Sequence, residues 1–130
     1  MQAPNNTIEN FDNFIHLLPN EFVNEIHVLK WADVLGTYYK PNMILLTGFD
    51  EECPIFGQIK FILFEINTRT VSFILKGFDT LSFSSLYQAY EVVPLNKWIF
   101  IKQKALQSHL PTHIRTGPNG CSYITFRHKL

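Results

Sequence analysis

Apolar residues alternate with polar ones in some segments of this chain and form short continuous runs in others, with polar clusters between them. A period of two is the signature of strands with one face turned to a core. Ile26–Trp31 predicts a first strand, and Gly36–Asn42 a turn-rich entry into a short buried strand over Met43–Thr47. Gly48–Pro54 reads as an acidic loop. The long apolar run Ile55–Ile66 predicts a strand bent at or just after Gly57, because glycine inside a strand marks a bulge or bend. Asn67-Thr68-Arg69 predicts a hairpin turn into Thr70–Lys76, with Val71, Phe73 and Leu75 on one face and Ser72, Ile74 and Lys76 on the other.

Beyond Lys76 the pattern loosens. Phe78–Tyr87 is compatible with a helical turn or an irregular strand, given Asp79, Thr80, Ser82, Ser84 and Ser85. Ala89–Val93 predicts a strand closed by Pro94, and Lys97–Gln103 another, with Trp98, Phe100 and Lys102 on one side. Ala105–His109 predicts one helical turn before Pro111, and Arg115–Cys121 a loop. Ser122–His128 predicts a last strand with Ile124 and Phe126 inward and Tyr123, Thr125 and Arg127 outward. About seven short strands at regular spacing predict a mainly β fold, a small barrel or sandwich.

One segment has a different period. Ile8, Phe11, Phe14, Ile15 and Leu18 fall at helical spacing, and Pro19 would end such a helix. The reading is a polar lead over residues 1–20 with an amphipathic helix that lies on the domain or docks on a partner, then a single β-rich domain over residues 21–130. At 130 residues, one domain is the expectation. Hydrophobic residues at 46%, with twelve Phe, supply a core without disulfides. A charged fraction of 17% leaves apolar surface for a partner.

The zero net charge conceals a division. Residues 1–95 hold all eleven carboxylates and five basic side chains, a net of −6. Residues 96–130 hold Lys97, Lys102, Lys104, Arg115, Arg127 and Lys129 with no carboxylate. Such a tail either packs on the acidic part or offers a basic face to nucleic acid. In the nucleic-acid alternative, Lys97, Lys102, Lys104, Arg115 and Arg127 carry the contacts.

Signatures of catalysis are missing: the chain has no GxSxG, Walker loop, GxGxxG or HExxH. His109 and His113 have zinc-compatible spacing, but Pro111 between them opposes a regular helix and no third ligand lies close by. Cys53 and Cys121 stand far apart with no CxxC, so both read as free thiols of a reducing compartment, nuclear or cytoplasmic. Met1–Asn13 does not resemble a signal peptide, and no apolar run spans a membrane. Neither a metal nor a cofactor is expected. The aromatic residues exceed what a small barrel must bury, which raises an aromatic cage or a stacking surface against the plainer reading of core packing.

Several pieces of Trp31–Val93 resemble a domain of unassigned activity found in many animal proteins, some derived from mobile elements. The pieces are Gly36-x-x-Tyr39-Lys40-Pro41 before Met43-Ile44-Leu45-Leu46, Pro54-x-Phe56-Gly57-x-Ile59, Val71-x-Phe73, and Tyr87-x-Ala89-Tyr90-Glu91-Val92. The first two are also similar to the start of SH3-like barrels of BAH and Tudor type, in which loops between the early strands hold the ligand. The resemblance implies a fold unit and no mechanism. The expected function is a non-catalytic protein-interaction module within a longer protein, binding a protein, a peptide or a second copy of itself. Its expected surface comprises Tyr38, Tyr39, Asp50, Glu51, Phe83, Tyr87 and Tyr90.

Overall fold

The computed structural model describes residues 26–106 and 108–125. The expected helix over Ile8–Leu18 lies outside them, as do Phe126, Arg127 and Lys129. Nine strands follow in order: β1 (Ile26–Leu29), β2 (Ala32–Val34), β3 (Thr37–Tyr39), β4 (Ile44–Asp50), β5 (Cys53–Glu65), β6 (Thr70–Ser84), β7 (Ala89–Lys102), β8 (Ile114–Thr116) and β9 (Ser122–Ile124). The described residues contain no α-helix, only a 3-10 turn at Gln103–Ala105. The protein is mainly β, as its period of two implies.

Seven strands form one antiparallel sheet in the order β1-β5-β6-β7-β9-β8, with β4 sharing an edge of β5 with β1. β2 and β3 make a separate hairpin. The sheet is not a closed barrel, which corrects that expectation. It coils until its outer parts meet at one antiparallel bridge, where Ile44 and Thr112 exchange two 2.8 Å backbone hydrogen bonds.

The long strands β5 and β6 bury both faces. On one face Ile59, Ile62, Val71, Phe73 and Leu75 pack beneath the β2–β3 hairpin, against Ala32 and Tyr39. Further along, the opposite face curls around Ile44, Leu46, Phe56, Phe78, Val92 and Ile124. Gly57 permits this change of face. It pairs with Gly77, and a Cβ added to Gly57 would lie 2.9 Å from Leu75 Cδ1 and 3.0 Å from Leu75 Cβ. Leu75 therefore lies close over the glycine backbone, and the irregularity of β5 falls just after it, between Ile59 and Phe61.

Several boundaries differ from the sequence expectation. The acidic loop is mostly strand: Asp50 pairs with Cys53, leaving Glu51-Glu52 as a two-residue turn. The two strands expected on either side of Pro94 are one strand, β7, whose register slips where Leu95, Asn96 and Lys97 loop out opposite Gly77. Pro94 pairs with Phe78 directly before the bulge, a place in a sheet where proline is accepted. Phe78–Ser84 takes the strand alternative and continues β6, with Leu81 as the extra residue of a second bulge. The helical turn comes at Gln103–Ala105, ahead of the expected place. Tyr123 faces inward, correcting its outward assignment, since the Tyr87 ring covers it at 4.7 Å and Asn119 Nδ2 donates to its hydroxyl.

Candidate functional site

The expected surface residues divide between two ends of the sheet. Tyr39 is fully buried and offers no ring to a partner, which removes it from that surface. Its hydroxyl donates to the His109 carbonyl at 2.6 Å and accepts from Gln103 Nε2 at 3.3 Å. Its ring packs on Phe73. Burial pushes its phenol upward, partly offset by the Gln103 amide. Tyr39 thus clamps the segment after β7 onto the core. Tyr38, on the other face of the same strand, is exposed and leans on Trp31 at 5.8 Å.

The remaining five gather at the opposite end. β5 pairs with β6 only as far as Phe56 and Phe78, and beyond them the two strands separate. One side-chain bond spans the gap, from Thr80 Oγ1 to the Pro54 carbonyl at 2.6 Å. It holds the Asp50–Cys53 turn beside Thr80 on the outer half of β6, while the Tyr87 ring lies over Tyr123 on the β9 side. β6 and β7 continue outward as an arm closed by the four-residue turn Ser85–Gln88. From Asp79 to Ser84, β6 has no strand on the side away from β7 among the described residues.

This arm is apolar where solvent should dictate otherwise. Leu81 is 51%, Phe83 50% and Leu86 81% exposed. Leu81 is the extra residue of the bulge, Phe83 pairs with Tyr90, and Leu86 lies at the tip of the ribbon. Phe83 meets Tyr90 edge-on at 5.1 Å, and Tyr90 rests on Phe56 at 6.2 Å, so the exposed ring continues an aromatic row out of the core. The arm is nonetheless well held. Ser84 Oγ accepts from the Tyr87 N–H, Gln88 Nε2 donates to the Ser85 carbonyl, and Arg115 Nη2 donates to the Tyr87 carbonyl.

Sequence reasoning found the aromatic members and missed Leu81 and Leu86, since leucine reads as core. The available signal was their frame: Ser82, Ser84 and Ser85 set Leu81 and Leu86 in a stretch of turn-type residues rather than in an apolar run.

The tip beside the arm is strained. Glu51 and Glu52 both take left-handed backbone, at φ 48° and 72°, where Asn-Gly is the favoured pair. Like most exposed turns it could hold those residues at no loss of contact. Instead it places Asp50, Glu51 and Glu52, all exposed, next to the open edge.

The basic side chains are dispersed. Lys97 sits in the β7 bulge, Lys102 ends β7, and Lys104 lies in the 3-10 turn. Arg115 pairs through Tyr123 to Glu91 at the far end, roughly 35 Å along β7 from Lys102 at about 3.3 Å per residue. His109 and His113 are exposed, and no three His, Cys, Asp or Glu among the described residues gather to hold a metal ion. Cys53 and Cys121 are unpaired. Burial and then the Glu91 charge push the Cys121 thiol upward, away from a nucleophile's thiolate. No helix of the described residues is long and apolar enough to cross a membrane. No family model, no curated protein and no solved structure matches this chain.

Proposed function

We propose that this protein is a non-catalytic protein-interaction module that engages its partner through the β6–β7 arm. The observation that carries the reading is the open edge Asp79–Ser84 flanked by exposed Leu81, Phe83 and Leu86. An unpaired edge presents a row of backbone donors and acceptors to an incoming strand, and the exposed apolar side chains beside it add buried area. Native proteins ordinarily blunt such edges. A partner that covers this one resolves the exposure.

Self-association is the simplest form of the same contact, since two copies of the edge pair antiparallel about a two-fold axis. The unpaired thiols suit a nuclear or cytoplasmic setting. The dispersal of Lys97, Lys102, Lys104 and Arg115 supports a protein partner over nucleic acid.

The test compares wild type with a Leu81→Ser/Phe83→Ser/Leu86→Ser variant by sedimentation equilibrium and by quantitative affinity capture. These side chains are half exposed or more, so the variant should keep its fold. The reading expects loss of a specific captured protein, or of a wild-type dimer. Equal recovery of the same partners by both proteins would overturn it.

A further inference from the structure

A second site lies at the other end of β6, on residues the arm does not use. There a cleft of about 320 Å³ opens between the β2–β3 hairpin, the β5–β6 turn and the 3-10 turn after β7. Asp33, Val34 and Leu35 form one wall, Arg69, Thr70 and Val71 the second, and Gln103 with Lys104 the third. We propose that this cleft binds an acidic peptide segment, taking a side-chain carboxylate between Arg69 and Lys104 and an adjacent apolar side chain against Val34, Leu35 and Val71.

The charges make the case first. Arg69 and Lys104 are both exposed, and neither forms an ion pair with a described residue. Asp33, on the facing wall, is the one carboxylate among the lining residues, and its Oδ1 accepts the Gly36 N–H at 2.9 Å within its own hairpin. Buried Glu65 accepts the N–H groups of Asn67 and Thr68 at 3.0 and 2.6 Å, together with the Thr68 hydroxyl, and Lys102 acts on it as well. Two cations against one carboxylate leave the lining net positive. A guanidinium fork is suited to grip a carboxylate with two hydrogen bonds.

The rims make the case second. Leu35 is 102% exposed at φ 52°, and Arg69 sits at φ 56°. Both positions favour Gly or Asn, and a turn with no other duty would use them. Here a strained leucine stands over the apolar wall and a strained arginine over the polar one.

The third wall is tied to the core. Gln103 is tied to the Tyr39 hydroxyl, and Tyr39 to the His109 carbonyl, so the cleft is formed before a ligand arrives. Its volume lies at the lower limit of small-ligand sites, which suits about two residues of an extended chain.

The experiment is an amide chemical-shift titration of the full chain with Ac-Glu-Leu-NH2, Ac-Gln-Leu-NH2 and inorganic phosphate. The proposal expects the Glu peptide to shift the amides of residues 33–35, 69–71 and 103–104. It expects about tenfold weaker binding of the Gln peptide and of Glu peptide to Arg69→Asn, a variant that keeps the left-handed turn. Lys104→Gln, away from any strained backbone, should weaken binding in the same direction. Equal affinity for the Glu and Gln peptides would overturn it. So would phosphate saturating the cleft while both peptides leave it unmoved, or no shift from any probe at about 10 mM, a limit near −3 kcal/mol.

Discussion

Replacing Glu51-Glu52 by Asn-Gly should make this protein more stable. Both glutamates hold left-handed backbone, at φ 48° and 72°, in the two-residue turn between β4 and β5. An L-residue there costs roughly 1–2 kcal/mol, and Asn and Gly carry the least of that penalty. Gly gives back about 0.5–1 kcal/mol through the freedom of the unfolded chain. The net expectation is a gain of about 1–2 kcal/mol. For a domain of this size that raises Tm by roughly 3–8 °C. Calorimetry reads the shift, and urea unfolding with an unchanged m value confirms that it is stability. A Glu51→Ala/Glu52→Ala variant separates causes, because it removes both charges and keeps the strained backbone. It should gain little. A double Asn-Gly variant melting at or below wild type would refute the reasoning. If the carboxylates serve the arm beside them, the stabilised variant should also capture its partner more weakly.

Three further outcomes follow from the core. Gly57→Ala should destabilise by about 1–3 kcal/mol in urea unfolding, because its Cβ would press on Leu75 Cβ as well as on the movable Cδ1. Tyr39→Phe should cost about 1–2 kcal/mol by leaving the His109 carbonyl without its donor, and should raise amide exchange across residues 103–113. Glu65 is held below the usual carboxylate range by the Thr68 hydroxyl first, with the Thr68 and Asn67 N–H groups and Lys102 adding to it against burial. Its contribution is thus present above the ordinary carboxylate pKa and lost as pH falls from there through the lowered folded value. Glu65→Gln should be less stable than wild type at pH 7, and the gap should close toward pH 2 in parallel melts.

Much of the central sheet was legible in the sequence because its residues decide their own geometry. Ile55–Ile66 is apolar on both faces, as a strand buried on both sides requires, and the irregularity expected at or just after Gly57 falls between Ile59 and Phe61. Val71, Phe73 and Leu75 alternate cleanly into the core beneath Tyr39. The β2–β3 hairpin was not legible, since Leu35 occupies a turn position that leucine rarely takes. β7 was divided at Pro94 because a register slip, a property of the paired strands, cannot be seen in one of them. β8 is three residues long and is defined by its partner β9 more than by its own pattern.

The candidate site divides in the same way. Phe83, Tyr90, Asp50 and Glu51 stood out by residue type. That the turn bearing Asp50 and Glu51 lies beside β6 depends on the Thr80–Pro54 hydrogen bond, which joins residues 26 apart in sequence. Tyr39 has the same composition as a surface aromatic and is a clamp instead, because β3 turns it into the core while β2 pairs alongside.

The central claim is that a partner covers the outer edge of β6. A photo-crosslinking amino acid placed in turn at Phe83, Leu86, Lys30 and Lys40 tests it directly in cells. The last two positions are exposed and flank the β2–β3 hairpin, away from the arm. The prediction is one dominant adduct, the same from positions 83 and 86, absent from 30 and 40, and lost when Leu81→Ser is added. Adducts of equal yield and identity from all four positions, or none from the arm, would contradict it.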